Sequence, residues 1–125
     1  MHNQKLVLIV ENDRVIRILT TELILEGGVS VVDAADGEEA IELLERRAAE
    51  VAALITDIRM PGNCSGLDLA QRVASRWPWI SILVTSGYYS ERPPGLPQQA
   101  QFLSKPWEPE VILDFVQWAV RSDFG

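Results

Sequence analysis

The sequence has few of the residues that mark several common classes of protein. Cys64 is its single cysteine, so no intrachain disulfide can form, and a reducing cytoplasm is the natural setting. It has no His/Cys cluster with metal-ligand spacing, no GxxxxGK[ST] loop and no Ser-His-Asp pattern. Zinc sites, P-loop nucleotide binding and serine-hydrolase chemistry therefore have no support in the sequence.

Positive charge is also scarce, and long apolar runs are missing. The chain has 11 Lys and Arg against 18 Asp and Glu, a formal net charge of −7. Nucleic-acid-binding surfaces need clustered Lys and Arg, so we expect no direct contact with nucleic acid. The apolar run Leu6–Val10 is far shorter than the roughly 20 residues of a membrane-spanning helix, and no signal-peptide cleavage pattern follows it. We expect a cytoplasmic protein that does not bind membranes.

What the chain does have is the composition of a globular domain. Hydrophobic residues make up 47% of its 125 residues and charged residues 23%. This length fits one ordinary domain that buries its own core without disulfides or a structural metal. With no internal repeat, linker or low-complexity tract, we expect a single domain over residues 1–125.

Short apolar runs alternate along the chain with segments of helical period. The predicted strands are Leu6–Val10, Ser30–Ala34, Val51–Thr56, Ile80–Val84 and Phe102–Leu103. The predicted helices are Arg14–Glu26, a segment after Asp36 that ends near Ala49, Gly66–Arg76, and a last one from Pro109 to about Ser122. This rhythm predicts an α/β fold with an open parallel sheet covered by helices on both faces.

Local signals fix some of the helix ends. Gly27-Gly28 is a natural stop for the first helix, in which Val15, Ile18/Leu19 and Leu23 follow helical spacing. Asp36 and Glu39 have the spacing of a capping box before the second helix.

The alternation breaks where a fourth helix would be expected. The stretch Ser90–Pro97 contains three prolines and a glycine. These residues cannot sustain a regular helix, so we predict an irregular segment in its place.

Polar residues follow the predicted strands at the edge where ligands gather in such folds. They are Glu11 and Asn12, Asp57, Thr85 and Lys105. Each has an ordinary structural interpretation, as a turn residue, a helix cap, a strand terminus or a solvated lysine. Together they suit a hard cation such as Mg²⁺, a nucleophilic carboxylate and a lysine that neutralises phosphoryl oxygens.

Several segments resemble the motifs of the response-regulator receiver family. The matching segments are Leu6–Asp13, Ala34–Ala40, Ile55–Gly62 with Gly66, Val84–Gly87 and Lys105–Trp107. The resemblance covers nearly the whole chain. It implies a flavodoxin-like, doubly wound sheet of five parallel strands in the order 2-1-3-4-5.

The resemblance also implies a function in two-component signalling or a phosphorelay. Asp57 would be phosphorylated by a histidine kinase or phosphotransfer protein, and a conformational switch would control binding to a downstream protein. Lys105 would pair with the phosphoryl group, Thr85 would move toward it, and Phe102 holds the position of the switching aromatic. The chain would be a switch with at most slow self-dephosphorylation, and not a metabolic enzyme. The implied Mg²⁺ ligands are Glu11, Asn12, Asp57 and the backbone carbonyl of Arg59.

Three departures from the family pattern qualify this expectation. An amide, Asn12, replaces a usual carboxylate ligand, so cation affinity should fall unless Asp13 compensates. Phe102 lacks the hydroxyl of the commoner tyrosine. The proline-rich segment alters the usual partner surface, which argues against a conventional dimer there and leaves the oligomeric state open.

Two other hypotheses stand beside the receiver. The chain can be a pseudo-receiver, a binding module in which Asn12 has disabled metal-dependent phosphorylation. It can also be a hydrolase with an aspartate nucleophile, but such enzymes place a second acid two residues later, where this chain has Arg59.

The remaining conspicuous residues are predicted to have structural roles. The four tryptophans suit packing or an interface better than a cofactor cage. Tyr88-Tyr89 suits either an exposed partner surface or a loop anchor, and nothing near Cys64 predicts an activated thiol.

Overall fold

Five parallel strands form one open sheet in the computed structural model, which describes residues 5–121. The strands are β1 (Leu6–Val10), β2 (Ser30–Ala34), β3 (Val51–Asp57), β4 (Ser81–Ser86) and β5 (Gln101–Ser104). Their order is β2-β1-β3-β4-β5, which confirms the predicted topology. β4 extends two residues beyond the predicted end because Thr85 pairs with Asp57, and Ser86 pairs with Ser104.

Within residues 5–121, four α-helices cover the two faces of the sheet; three of them connect strands, and the last follows β5. They are α1 (Arg14–Glu26), α2 (Gly37–Arg47), α3 (Gly66–Arg76) and α4 (Pro109–Arg121). The second helix ends two residues before the predicted Ala49 and continues as a 3-10 turn, Ala48–Glu50. The predicted end of the last helix, Ser122, lies outside the described residues.

Alternate strand residues contact two separate cores. Leu8, Leu54 and Val84 pack with residues of α2 and α3 on one face. Ile9 and Ile55 pack with residues of α1 and α4 on the other. The first six residues of β3 are all buried, as expected for the central strand of a parallel sheet covered on both sides.

The helix ends follow the local signals with one difference. Gly27 is the C-cap of α1, and Gly28 has the positive φ of 85° that favours glycine. The Asp36 carboxylate caps α2 by accepting from the Glu39 N–H at 2.9 Å. The Glu39 carboxylate accepts from the Ala35 N–H at 2.6 Å, one residue before the reciprocal partner of a capping box.

The apolar spacing in α1 does not identify its buried face. Thr20 and Ile24 are the buried residues of this helix, and Leu23 packs on the same core. Val15 and Leu19 are 64% and 61% exposed. The Thr20 hydroxyl is accommodated because it donates to the Ile16 carbonyl at 2.8 Å.

The proline-rich segment is irregular, as predicted. Residues 87–100 form turns and bends, with Pro93 and Ala100 buried. The Arg92 guanidinium donates to the carbonyls of Pro97 and Ala100 at 2.5 Å. These bonds fix the segment internally without helical hydrogen bonds.

Candidate functional site

The carboxyl ends of the strands bring four of the predicted residues together. Asp57 ends β3 beside Thr85 of β4, Glu11 directly follows β1, and Lys105 directly follows β5. These four residues line one small cavity at the sheet edge. The parallel topology therefore joins residues that lie up to 94 positions apart in the chain.

Lys105 lies between two carboxylates. Its Nζ is 3.3 Å from Glu11 Oε1 and 3.5 Å from Asp57 Oδ2. The side chains of Lys105, Glu11 and Asp57 are 21%, 8% and 15% exposed. Because these charges are largely removed from bulk water, their mutual attraction is screened less than that of a surface pair.

The turn after β1 holds Glu11 in place. Glu11 Oε2 accepts from the Asp13 N–H at 3.0 Å. The Glu11 carbonyl accepts from the Arg17 guanidinium at 2.8 Å, and Arg17 also pairs with Asp33 of β2 at 3.4 Å. Side chain and backbone of Glu11 are therefore both fixed before any ligand binds.

Asp57 is oriented by the turn after β3. Its Oδ1 accepts from the Ile58 N–H at 2.9 Å, which leaves Oδ2 directed toward Lys105. The Gly66 N–H donates to the Ile58 carbonyl at 2.8 Å. A Cβ at position 66 would clash with the Asp57 carbonyl oxygen, so this close approach requires glycine.

The two residues that follow Glu11, Asn12 and Asp13, have different environments. Asp13 is the N-cap of α1 and accepts from the Ile16 N–H at 3.0 Å. Asn12 is exposed at the same turn. The described residues contain no group of three or more His, Cys, Asp or Glu side chains placed to hold a metal ion.

The donor set that the sequence predicts is nevertheless of a kind that suits Mg²⁺. It consists of the carboxylates of Glu11 and Asp57, the amide oxygen of Asn12 and the backbone carbonyl of Arg59. Mg²⁺ prefers oxygen ligands, usually binds through one or two carboxylates and keeps several waters. The predicted set has this chemistry with one negative charge fewer than an Asp at position 12 would give.

Arg59 has a side-chain role that the sequence did not reveal. A pocket of about 370 Å³ is lined by Asp57, Arg59, Ser86, Gly87, Tyr88 and Lys105. The Arg59 guanidinium lies 4.4 Å from the centroid of the Tyr88 ring. No local pattern could predict this pair, because it joins two loops through the tertiary fold.

A second residue that the sequence did not reveal is Glu38. Its carboxylate accepts from the Asn63 N–H at 2.8 Å and so ties the start of α2 to the loop after β3. Gly62 in that loop has φ 93°, and a Cβ there would lie 2.9 Å from Glu38 Oε1. Glu38 thereby helps to fix the loop that contains Arg59.

Phe102 lies apart from the acidic residues. It pairs with Val84, one position before Thr85, and packs partly buried against the core on the α2 and α3 face. Phe102 lines a cleft of about 560 Å³ that lies between residues 90–92 and residues 100–104. Its role as a switching aromatic stays a prediction.

The tryptophans are dispersed. Trp77 is buried, whereas Trp79 and Trp118 are exposed. Trp107 lines the small cavity beside Lys105, and its buried Nε1 has no protein hydrogen-bond partner among the described residues.

The tyrosine pair and the cysteine have distinct environments. Tyr88 is exposed and Tyr89 packs against the core, so the pair divides between a surface position and a loop anchor. Burial raises the pKa of the Cys64 thiol, which is the opposite of activation. No helix within residues 5–121 has the length and apolar character needed to cross a bilayer.

Comparison with known proteins identifies the family. The model of the response regulator receiver domain matches residues 7–117. The response regulator protein FleR of Pseudomonas aeruginosa is 33% identical over 113 residues, covering 88% of this chain and 23% of FleR. The transcriptional regulatory protein PdtaR of Mycobacterium tuberculosis is 31% identical over 121 residues, covering 91% of this chain and 56% of PdtaR. This chain thus spans only part of the length of either relative.

A solved structure agrees with the fold. The response regulator receiver protein from Sinorhizobium medicae superposes with a TM-score of 0.84 and 21% identity over 94% of each chain. At this identity the likeness establishes the architecture alone. Because the family model covers most of the sequence, the chain belongs to the response regulator receiver domain family of two-component systems.

Proposed function

We propose that Asp57 is the phosphoacceptor of this receiver domain. The observation that carries the proposal is the position of Asp57 Oδ2, 3.5 Å from Lys105 Nζ at the edge of an accessible pocket. The opposite oxygen is held by the Ile58 N–H, so Oδ2 is the oxygen available for attack. A histidine kinase or phosphotransfer protein would supply the phosphoryl group.

The proposed reaction transfers a phosphoryl group from the donor protein to the Asp57 carboxylate. Asp57 Oδ2 attacks phosphorus and forms an O–P bond, while the bond from phosphorus to the leaving atom of the donor breaks. The electron pair of that bond departs on the leaving atom. The product is an acyl phosphate. Water then attacks its phosphorus slowly, the bond from phosphorus to Asp57 Oδ2 breaks, and inorganic phosphate leaves the free carboxylate behind.

The surrounding residues have separable roles in this proposal. Lys105 would neutralise the phosphoryl oxygens. Before transfer, Glu11 holds the Lys105 ammonium group near Asp57. Glu11, Asn12, Asp57 and the Arg59 carbonyl would hold Mg²⁺. The cation would offset the negative charge shared between the phosphoryl oxygens and the carboxylates.

The output of the switch would be a change in protein binding. Thr85 is buried beside Asp57 in the neighbouring strand, from where its hydroxyl can reach a phosphoryl group by a small movement. Phe102 would rearrange in response and alter the adjacent cleft. We propose a cytoplasmic signalling role with an unidentified downstream protein and no conventional catalytic activity.

Asn12 favours one alternative. If the amide makes the cation site too weak, the chain acts as a pseudo-receiver that binds its partners without phosphorylation. This alternative keeps the fold and the contacts of Lys105 and assigns them a structural role.

The deciding experiment is intact-mass analysis after incubation with acetyl phosphate and Mg²⁺. We expect a gain of one phosphoryl group that is labile to hydroxylamine, as an acyl phosphate is. The isosteric variant Asp57→Asn and a metal-free reaction are the controls, and neither should gain mass. A folded protein that gains no phosphoryl group even at high Mg²⁺ would establish the pseudo-receiver alternative.

A further inference from the structure

The feature that carries a further inference is the contact between Arg59 and Tyr88 at the mouth of the acceptor pocket. Arg59 follows the acceptor by two residues, and Tyr88 follows β4 by two residues. The guanidinium carbon lies 4.4 Å from the ring centroid, in the geometry of a cation–π interaction. Both side chains line the pocket that contains Asp57 and Lys105.

The backbone beneath Tyr88 is fixed, whereas its ring is exposed. The N–H groups of Tyr88 and Tyr89 both donate to the buried hydroxyl of Ser86, at 3.0 and 3.2 Å. Tyr88 is 67% exposed. Its ring contacts the Arg59 guanidinium on one side and meets the Tyr89 ring edge-on at 5.0 Å. The exposed ring can therefore change its position while the backbone beneath it stays fixed.

Phosphorylation changes the charge that Arg59 faces. Arg59 and Lys105 are the cationic side chains that line the pocket, and Lys105 already contacts Glu11 and Asp57. A phosphoryl group replaces the single charge of Asp57 by a charge of about −1.5 to −2 and adds strong acceptor oxygens. A guanidinium binds such oxygens by paired, charge-assisted hydrogen bonds, which are stronger than an exposed cation–π contact.

We propose that phosphorylation of Asp57 draws the Arg59 guanidinium from the Tyr88 ring onto the phosphoryl oxygens and so releases the Tyr88 ring. This inference rests on the proposed function and names a second output of the same site. Tyr88 begins the segment 88–100, which has no helix and presents its backbone turns at the surface. The released ring would thus alter the surface that this irregular segment forms.

Nuclear magnetic resonance of the Arg59 side chain tests the release directly. Beryllofluoride with Mg²⁺ serves as the probe, because it forms a phosphoryl-like adduct with an aspartate carboxylate. In the free protein, we expect the Tyr88 ring current to shift the Arg59 side-chain protons upfield. Adding the probe should remove that shift and give resonances like those of Tyr88→Leu. Tyr88→Phe, which keeps the ring, should behave like the wild type.

Probe affinity gives an independent readout. In Tyr88→Leu, Arg59 has no ring to leave, so the probe should bind more tightly by about two- to five-fold, the factor expected from an exposed cation–π contact. Arg59→Met should weaken probe binding and make it insensitive to a second change at Tyr88. The exposure of both residues makes folding of these variants straightforward to verify.

The outcomes separate this inference from the proposed function. If the probe binds at Asp57 while the Arg59 protons keep their ring-current shift, the release of Tyr88 is refuted and the phosphoacceptor role stands. Equal probe affinity in wild type and Tyr88→Leu would likewise refute the release. If the folded protein forms neither the probe adduct nor an acyl phosphate, the proposed function and this inference fall together.

Discussion

Asn12 offers the sharpest test of the electrostatics of the site. The variant Asn12→Asp restores a carboxylate at an exposed position of the turn that contains Glu11. Because the position is exposed, the attraction between unit charges at about 4 Å takes its aqueous value of about 1 kcal/mol. A divalent cation doubles this to about 2 kcal/mol, which corresponds to roughly 30-fold in affinity.

The assay for Asn12→Asp is a calorimetric titration with Mg²⁺ in the absence of any phosphoryl donor. We expect the dissociation constant to fall by about the 30-fold derived above, and the metal-free variant to lose up to about 1 kcal/mol of stability through repulsion from neighbouring carboxylates. Asn63→Asp, the same chemical change in the exposed loop after β3, is the matched control and should alter affinity little. Equal affinities in wild type and Asn12→Asp would refute the assignment of position 12 to the cation site.

Three further predictions concern Lys105, Gly66 and Cys64. Lys105→Met leaves the Glu11 and Asp57 carboxylates without their shared cation, so urea denaturation at neutral pH should show a loss of about 1–3 kcal/mol; an unchanged midpoint would mean that water already screens the contacts at 3.3 and 3.5 Å. Gly66→Ala places a Cβ against the Asp57 carbonyl oxygen and should lower the free energy of unfolding by about 3 kcal/mol. The same urea denaturation measures this loss, and a wild-type value would contradict the close approach. Burial raises the pKa of Cys64 above its unfolded value, so the neutral thiol contributes stability that is present below about pH 8.5 and is lost as the pH rises toward the folded pKa. Native protein should therefore resist iodoacetamide at pH 8 and react after unfolding, whereas rapid native alkylation would contradict this burial.

The sequence predicts those parts of the fold whose signals are local. Val51–Thr56 is a continuous apolar run, and it becomes the fully buried central strand. The pair Gly27-Gly28 ends α1, because Gly28 adopts a positive φ of 85° that glycine reaches without strain. The predicted end of β4 was two residues short, because Thr85 and Ser86 join the sheet through partners in other strands that no local pattern specifies.

The buried face of α1 shows a second limit of local reasoning. Ile18 and Leu19 are as apolar as Ile24, and spacing alone cannot decide which of them the sheet covers. The structure buries Ile24 with Thr20 and leaves Ile18 and Leu19 exposed. That choice depends on how α1 packs against α4, which brings Gln117 Nε2 within 3.2 Å of the Gly27 carbonyl.

The candidate site was predictable to the extent that it lies at strand ends. Glu11, Asp57 and Lys105 meet because parallel strands place their carboxyl ends at one edge. The contact between Arg59 and Tyr88 depends on the paths of two loops, and an arginine beside a tyrosine in space has no sequence signature. Side chains that modify the site are therefore harder to predict than those that form it.

Asn12 and Arg59 change the charge of the site in the same direction. Glu11, Asp57 and Lys105 together leave one net negative charge, where an Asp at position 12 would leave two. A bound divalent cation makes the resting site net positive, and a phosphoryl group on Asp57 then returns it close to neutrality. Cation and phosphoryl group should therefore strengthen each other's binding more in this chain than in its Asn12→Asp variant. The guanidinium of Arg59 acts on the same balance, because its movement from the Tyr88 ring onto the phosphoryl oxygens would bring one more positive charge to the added negative charge.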